Sequence, residues 1–326
     1  MREKKPAWAL CPFEKKVDMP VLSPSPTGFD SWSVYNPAVT VHNGIYDMFY
    51  RAEDRGESNT PYMGTSRIGL ATSRDGIHFE KYADNPVIDA NEELELPGGC
   101  EDPRICKVGD VWYLIYGAYH YPEDVYLLYA VSRDLIHWEK RGPLLLDKLG
   151  RAISSKSAAI VTDPQGNAVK INGKYILYTN DRISFSEDFI HWETELFDAV
   201  GFTGSLNEVC VALTDYRHPG KDDILLFFAG NFSKIQEKDY FYAVGEACFS
   251  RENPKVCKDY LTDPVITAEL PFEKTADRLA CVPESVKGTI FLDSVFFYEG
   301  NWYAYYGCSD QYVGLSVCRS EENFSV

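Results

Sequence analysis

Glu101 and Asp102 stand side by side in Pro97-Gly98-Gly99-Cys100-Glu101-Asp102-Pro103-Arg104-Ile105. Two carboxyls with a guanidinium close behind could protonate a leaving group, orient a polar ligand, or form only a surface ion pair where a strand begins. Gly98 and Gly99 admit backbone conformations that other residues avoid, and Pro103 fixes φ before an apolar run. Neighbouring side chains of a regular strand point to opposite faces. Glu101 and Asp102 are therefore expected not to share a ligand: one faces a cleft and the other pairs with a cation such as Arg104.

Other polar residues interrupt apolar runs in a comparable way. They are Asn36 in Tyr35-Asn36-Pro37-Ala38-Val39, Arg51 followed by Asp54, Lys156 in Ser155-Lys156-Ser157, Glu208 in Asn207-Glu208-Val209, Asp293 in Leu292-Asp293-Ser294, and Asp310 after Gly307-Cys308-Ser309. If these runs meet at one place, the interruptions form a polar ligand site. His120, in Tyr116-Gly117-Ala118-Tyr119-His120-Tyr121, adds aromatic faces on which a sugar ring could stack. His78, His137 and His191 recur within one motif and read as parts of a repeated turn, while His42 and His218 read as loop residues. No Ser/His/Asp order, phosphate-cradling loop, metal-ligand spacing or cofactor motif stands out, and Gly64 to Gly69 and Gly201 to Gly204 lack a following helix.

Two interleaved repeats indicate the elements that position these residues. Ser73-Arg74-Asp75-Gly76-Ile77-His78-Phe79, Ser132-Arg133-Asp134-Leu135-Ile136-His137-Trp138 and Ser186-Glu187-Asp188-Phe189-Ile190-His191-Trp192 each separate two apolar runs, and Ser320 to Phe324 is a degenerate fourth copy. A polar turn of this kind is a hairpin signal, and its last aromatic would plug a core. Turn-then-strand segments recur at Asn43 to Tyr50, Gly109 to Tyr116, Asn172 to Tyr178, Asp222 to Phe228 and Glu299 to Tyr306, rich in aromatic and β-branched residues and without helical periodicity. Five copies, each of about four strands, predict an all-β, five-bladed β-propeller in one domain over 1–326, with 1–30 packing on it or closing it. The innermost strands of such a ring would carry the polar interruptions to one axis.

Composition narrows the partners. A net charge of -17 on 326 residues disfavours nucleic acid and anionic membrane surfaces. No run reaches the length of a membrane span, and no secretory h-region follows Met1-Arg2-Glu3-Lys4-Lys5. Nine scattered cysteines without a Cys-x-x-Cys pair read as reduced, mostly buried thiols of a cytoplasmic protein. A homo-oligomer is compatible with all of this.

Asn36-Pro37-Ala38, Arg51 with Asp54, Ser66-Arg67-Ile68-Gly69-Leu70-Ala71-Thr72-Ser73-Arg74-Asp75-Gly76-Ile77, Gly99-Cys100-Glu101-Asp102-Pro103-Arg104 and Tyr305-Tyr306-Gly307 through Asp310 to Gly314-Leu315 occur in that order. Together they resemble glycoside hydrolase family 130, five-bladed propellers that act on β-mannosides as inverting phosphorylases or inverting hydrolases. The resemblance implies that Asp102 is the catalytic acid, that Asn36, Arg51 and Asp310 hold the mannosyl unit beside the cleaved bond, and that Arg104 orients the acid. It makes Glu101, Asp54, Arg67, Lys156 and Asp181 further substrate-binding candidates and implies a mannose-containing oligosaccharide as partner.

The family's phosphorylases gather arginine, lysine and histidine around phosphate. Here the corresponding strand ends read Thr179-Asn180-Asp181 and Ala229-Gly230-Asn231, which leaves Lys156 and Arg182 as anion binders. The hydrolase branch needs a carboxylate base instead. Glu208 is the first choice, with Asp181, Glu284 and Glu101 behind it. An Asp102 pKa pushed up by burial beside another acid would suit the acid's role. The expected activity is inverting hydrolysis of β-1,2-linked mannooligosaccharides, with phosphorolysis to mannose 1-phosphate second and a non-catalytic sugar-binding propeller third.

Overall fold

The computed structural model of the protein describes residues 5–10, 12–54, 56, 64–122, 124–199, 205–217, 220–232, 242–274 and 288–319. The architecture is all-β, with one short α-helix, Pro271–Lys274, among these residues. After a short strand β1 (Glu14–Lys15), the strands fall into antiparallel groups of four. The first is β2 (Ser33–His42), β3 (Ile45–Glu53), β4 (Arg67–Ser73) and β5 (Glu80–Lys81). The second is β6 (Gly99–Val108), β7 (Val111–His120), β8 (Asp124–Ser132) and β9 (Glu139–Pro143). The third, β10 (Ala159–Thr162), β11 (Tyr175–Tyr178), β12 (Arg182–Ser186) and β13 (Glu193–Leu196), joins the fourth through a parallel β10/β14 pair. The fourth is β14 (Ser205–Leu213), β15 (Ile224–Asn231), β16 (Ala243–Phe249) and β17 (Cys257–Tyr260). The last combines β18 (Ile290–Tyr298), β19 (Asn301–Cys308) and β20 (Tyr312–Arg319) with β1, so N-terminal chain supplies its outer strand.

The sequence repeats map onto this plan. Each turn-then-strand segment leads into or forms a second strand, namely β3, β7, β11, β15 and β19. The three Ser-x-Asp motifs join third strands to fourth strands. In each, the aspartate Oδ1 accepts the amides two and three residues on, while Oδ2 meets the histidine Nδ1 at 2.7 Å. The residue after the aspartate is left-handed (Gly76 φ 72°, Leu135 66°, Phe189 68°), which turns the chain back. The histidines are exposed turn components, as expected. The closing aromatics are packed, Trp138 edge-on to Phe49 and Phe79 edge-on to Tyr305.

Alternating apolar residues bury both faces of the sheets, and each hydrophobic cluster is shared by two neighbouring groups. Phe49 and Leu70 pack with Leu114 and Leu128, Ile115 with Leu177, Tyr178 with Phe228, and Phe227 with Trp302 and Tyr306. A further cluster joins Met48 and Tyr50 of the first group to Tyr305 and Leu315 of the last. The first strands of all the groups line one cavity, each contributing a wall residue: Val39, Ile105, Ala159, Cys210 and Val295.

A buried carboxylate, tyrosine and lysine recur in three groups. Tyr50 donates to Asp30 (3.2 Å) with Lys81 at 2.6 Å, Tyr116 to Glu95 (2.9 Å) with Lys140 at 2.6 Å, and Tyr306 to Glu273 (2.7 Å) with Lys15 at 2.8 Å. Each set ties the loop before a sheet to its second strand and its outer strand. Cys100, Cys106, Cys210, Cys248, Cys257 and Cys308 are free thiols as expected, but Cys318 is disulfide-bonded, its partner lying outside the described residues. The expectation of reduced thiols throughout is corrected at that position.

Candidate active site

The first strands are not regular along their whole length. Register shifts fall between Tyr35 and Ala38, Glu101 and Arg104, Leu206 and Glu208, and Leu292 and Ser294. Each is a bulge that re-aims the neighbouring side chains. Asn36 (φ 47°), Asp102 (φ 45°) and Ser157 (φ 62°) are left-handed there, a backbone state uncommon for residues other than glycine.

This geometry overturns the expectation from strand alternation. Because Asp102 is left-handed, Glu101 and Asp102 turn toward the same cation. Arg51 Nη2 donates to Glu101 Oε1 at 2.8 Å and its Nη1 to Asp102 Oδ1 at 3.1 Å. Arg51 also donates to Glu53 (3.0 Å) and, through Nε, to Ser66 Oγ (2.9 Å), and its guanidinium lies 4.7 Å from the Tyr35 ring centre. Ser66 Oγ and the Tyr35 hydroxyl both donate to Glu53, and Asn36 Nδ2 donates to Asp102 Oδ1 at 2.7 Å. Glycines make these approaches possible. A Cβ on Gly99 (φ 100°) would lie 2.1 Å from the Ser66 carbonyl, and one on Gly307 would lie 2.1 Å from Asn36 Oδ1.

Lys156 joins this cluster to the fourth group. Its ammonium, at the end of a partly exposed side chain, is 2.9 Å from Glu208 Oε1 and 3.9 Å from Asp102 Oδ2. The two carboxylate oxygens it spans are thus no more than about 7 Å apart. Ser157 donates a short hydrogen bond to Glu208 Oε2. Asn180 Oδ1 accepts the Val209 amide at 3.0 Å, pinning the backbone next to Glu208.

Arg104 does not pair with either of its neighbouring carboxylates. Its Nη1 is 2.7 Å from Asp293 Oδ1 and donates to the carbonyls of Asp102 (3.1 Å) and Pro103 (3.3 Å), while Nε donates to the Cys210 carbonyl (3.1 Å). It therefore holds the backbone at Asp102 rather than the carboxylate. Arg51 likewise does not pair with Asp54, which meets Arg67 at 3.5 Å; Arg67 also contacts Asp89 at 2.9 Å, on the surface beside the site. Asp181 is half-exposed and accepts from Ser155 (3.1 Å), with Arg182 Nε at 3.3 Å. Asp310 (φ 49°) lies in the β19–β20 turn, beyond Gly307. Nδ1 of His120 bonds the Leu96 carbonyl at 2.9 Å, and Tyr119 meets Tyr121 edge-on. Glu284 lies outside the described residues.

Electrostatics reverses one expectation. Burial alone would raise Asp102, but Arg51, Lys156, Asn36 and Arg104 outweigh it and hold its carboxyl down at about 2. Glu101 moves the other way: burial pushes it up to about 6, against the pull of Arg51 and Lys156. Of the two, Glu101 is the carboxyl pushed toward the protonated form and Asp102 the one held toward the ionised form. Asp293 was read from the sequence among the polar interruptions of apolar runs, whereas Glu53, Ser66, Ser157 and Gly307 were not given site roles; alternation from Arg51 was the available signal for Glu53.

Comparison with known proteins places this arrangement among carbohydrate-active enzymes. The model of glycoside hydrolase family 130, described as beta-1,4-mannooligosaccharide phosphorylase, matches residues 16–325. A 1,2-beta-oligomannan phosphorylase of Thermoanaerobacter sp. (strain X514) is 27% identical over 319 residues, covering 94% of this chain and 96% of its own. The structure of a glycosyl hydrolase from Bacteroides ovatus superposes with a TM-score of 0.84 at 29% identity, covering 98% and 96% of the two chains. A further structure, described with the finding that the family of mannoside phosphorylases contains glycoside hydrolases targeting beta-1,2 mannosidic linkages in Candida mannan, gives 0.83 at 28% identity, covering 98% and 97%.

Proposed function

The chain belongs to glycoside hydrolase family 130, and we propose that it is an inverting β-mannosidase acting on β-1,2-linked mannooligosaccharides. The groups of strands form the blades of a five-bladed propeller in one catalytic domain, and the bulged first strands bring the site to one mouth of its axis. Asp102 is the acid and Glu208 the base. Asn36, Arg51 and Asp310 hold the mannosyl unit, with Glu101 and Lys156 against its hydroxyls and Asp54, Arg67 and Asp181 toward the rim.

Glu208 takes a proton from a water that attacks the anomeric carbon, while Asp102 gives a proton to the departing glycosidic oxygen; the products are α-mannose and the shortened glycan. Asp102 must first be protonated. A mannosyl unit seated against Asn36 and Arg51 takes those donors for its own hydroxyls and excludes water, and both changes raise Asp102. Glu101, on the same guanidinium, is the adjacent carboxyl with a proton available near neutral pH.

The observation that carries hydrolysis over phosphorolysis is the commitment of the cations. Arg51, Arg104, Lys156 and Arg182 each meet at least one carboxylate, drawn from Glu53, Glu101, Asp102, Asp181, Glu208 and Asp293. A phosphate dianion entering this site would meet carboxylates in excess and no uncommitted cation among these residues. Phosphorolysis remains the second reading because the Thermoanaerobacter relative is named a phosphorylase. Incubation with β-1,2-mannobiose, with and without inorganic phosphate, separates the two. Equal release of free mannose supports the hydrolase; mannose 1-phosphate formed only with phosphate overturns it.

A further inference from the structure

Asp293 is a buried carboxylate to which the reaction described above gives no role. It lies at the bulge of β18 and, with Arg104, lines the cavity walled by the first strands. Burial drives its carboxyl upward, and Arg104, at 2.7 Å, is the first of the cations opposing that. Arg104 donates three hydrogen bonds to carbonyls and meets Asp293 as an ion pair, while its Nη2 and both Asp293 carboxylate oxygens are buried without a hydrogen-bond partner among the described residues. Its charge already bears on the Asp102 carboxyl.

We propose that Asp293 is a positioning residue that keeps Arg104 off the catalytic acid. Held by Asp293 on one side and by the Cys210, Pro103 and Asp102 carbonyls on the others, the guanidinium supports the bulge that presents Asp102 without ion-pairing its side chain. Without that contact, the guanidinium is freed toward Asp102, whose carboxyl its charge already lowers, and a pairing there would lock the acid in its ionised form. The charged groups facing Asp102 are Arg51 from β3, Lys156 from the segment before β10, and Glu101 and Arg104 from its own strand; those bearing on Asp293 are Arg104, Asp102, Glu208 and Lys156. This inference rests on the reading of Asp102 as the acid. It does not depend on whether water or phosphate attacks, since both routes need the leaving oxygen protonated.

Leaving-group dependence tests it. The intact protein and the Asp293→Asn variant are compared on β-1,2-mannobiose, whose leaving alkoxide needs a proton, and on 2,4-dinitrophenyl β-mannoside, whose leaving group does not, each with and without phosphate. The expected result is a kcat loss of roughly 10²-fold on mannobiose, the scale of general-acid catalysis, with KM nearly unchanged, little loss on the aryl mannoside, and an alkaline limb of the pH profile moved to lower pH. Equal losses on both substrates, or none on either, would overturn the proposal. If Asp293→Asn does not fold, Arg104→Met serves: removing the cation must move the alkaline limb upward, and an unmoved limb overturns the proposal. An unmutated protein that turns over neither substrate would reject the acid assignment itself and this inference with it.

Discussion

Gly307→Ala is a one-methyl change that reaches the acid through a single intermediary. The added Cβ would fall 2.1 Å from Asn36 Oδ1, 2.6 Å from its backbone nitrogen and 3.2 Å from Cγ. Relief to ordinary contact requires Asn36 or β19 to retreat by more than about 1 Å, because carbon and oxygen pack no closer than roughly 3.4 Å. Asn36 lies on a bulged strand in a left-handed conformation and holds Asp102 at 2.7 Å, so the shift passes directly to the acid. Overpacking of this kind costs about 1–3 kcal/mol, which for a chain of this size lowers Tm by only a few degrees. Misplacement of a catalytic group by about 1 Å costs about 10²-fold in rate. The expected phenotype is a folded enzyme with kcat on mannobiose down roughly 10²-fold. Stopped assays of mannose release and calorimetry measure the two quantities. On an Asn36→Ala background the 2.1 Å side-chain clash is gone and the 2.6 Å approach to the residue 36 nitrogen remains, so the same glycine change should add less loss of kcat than it causes alone. An unchanged kcat in Gly307→Ala, or full additivity of the two losses, would refute the route through Asn36.

Glu208→Ala should lose mannobiose hydrolysis by about 10²–10⁴-fold, and azide should restore turnover with α-mannosyl azide as product, read by mass spectrometry and NMR. Failure of azide to rescue would point away from Glu208 as base. Glu246 is fully buried, accepts the Leu10 amide at 3.2 Å, and is pushed up to about 8 chiefly by burial. A carboxyl raised on folding loses stability as pH climbs from its unfolded value toward its folded one. Glu246→Gln should therefore leave Tm unchanged near pH 4 and raise it above the parent's by pH 8. Lys140→Met strands Glu95, whose carboxyl is held below its ordinary value despite burial, by Lys140 and the amides of Asn91 and Glu92. Loss of the cation should cost about 3 kcal/mol at pH 7, and less near pH 4, where the stranded carboxyl takes a proton; thermal unfolding at the two pH values checks it.

Much of the fold was legible because strand periodicity and repeated turns are local. The Ser-x-Asp motifs bond within themselves, and the second strands carry their aromatics in sequence. The residues of the site were legible one at a time, Asn36, Arg51, Asp102, Lys156 and Glu208 among them, but their mutual orientation was not. Alternation predicts opposite faces for Glu101 and Asp102 only if the strand is regular, and a left-handed Asp102 breaks that rule without any glycine at the position to announce it. The partner of Arg104 comes from a strand nearly 190 residues away, so local spacing suggested the adjacent carboxylates instead. The direction of the Asp102 shift was out of reach for a related reason: burial was foreseeable from the apolar surroundings, whereas Arg51, Lys156 and Arg104 converge on it from three separate groups of strands. The carboxylate–tyrosine–lysine sets were missed because each draws its members from a loop, a second strand and an outer strand that no motif links.

The measurement closest to the central claim is proton NMR of β-1,2-mannobiose turnover in phosphate buffer, followed from the first seconds. The account predicts that α-mannose appears first and then mutarotates, at a rate indifferent to phosphate. First appearance of β-mannose would contradict inversion, and α-mannose 1-phosphate would contradict hydrolysis.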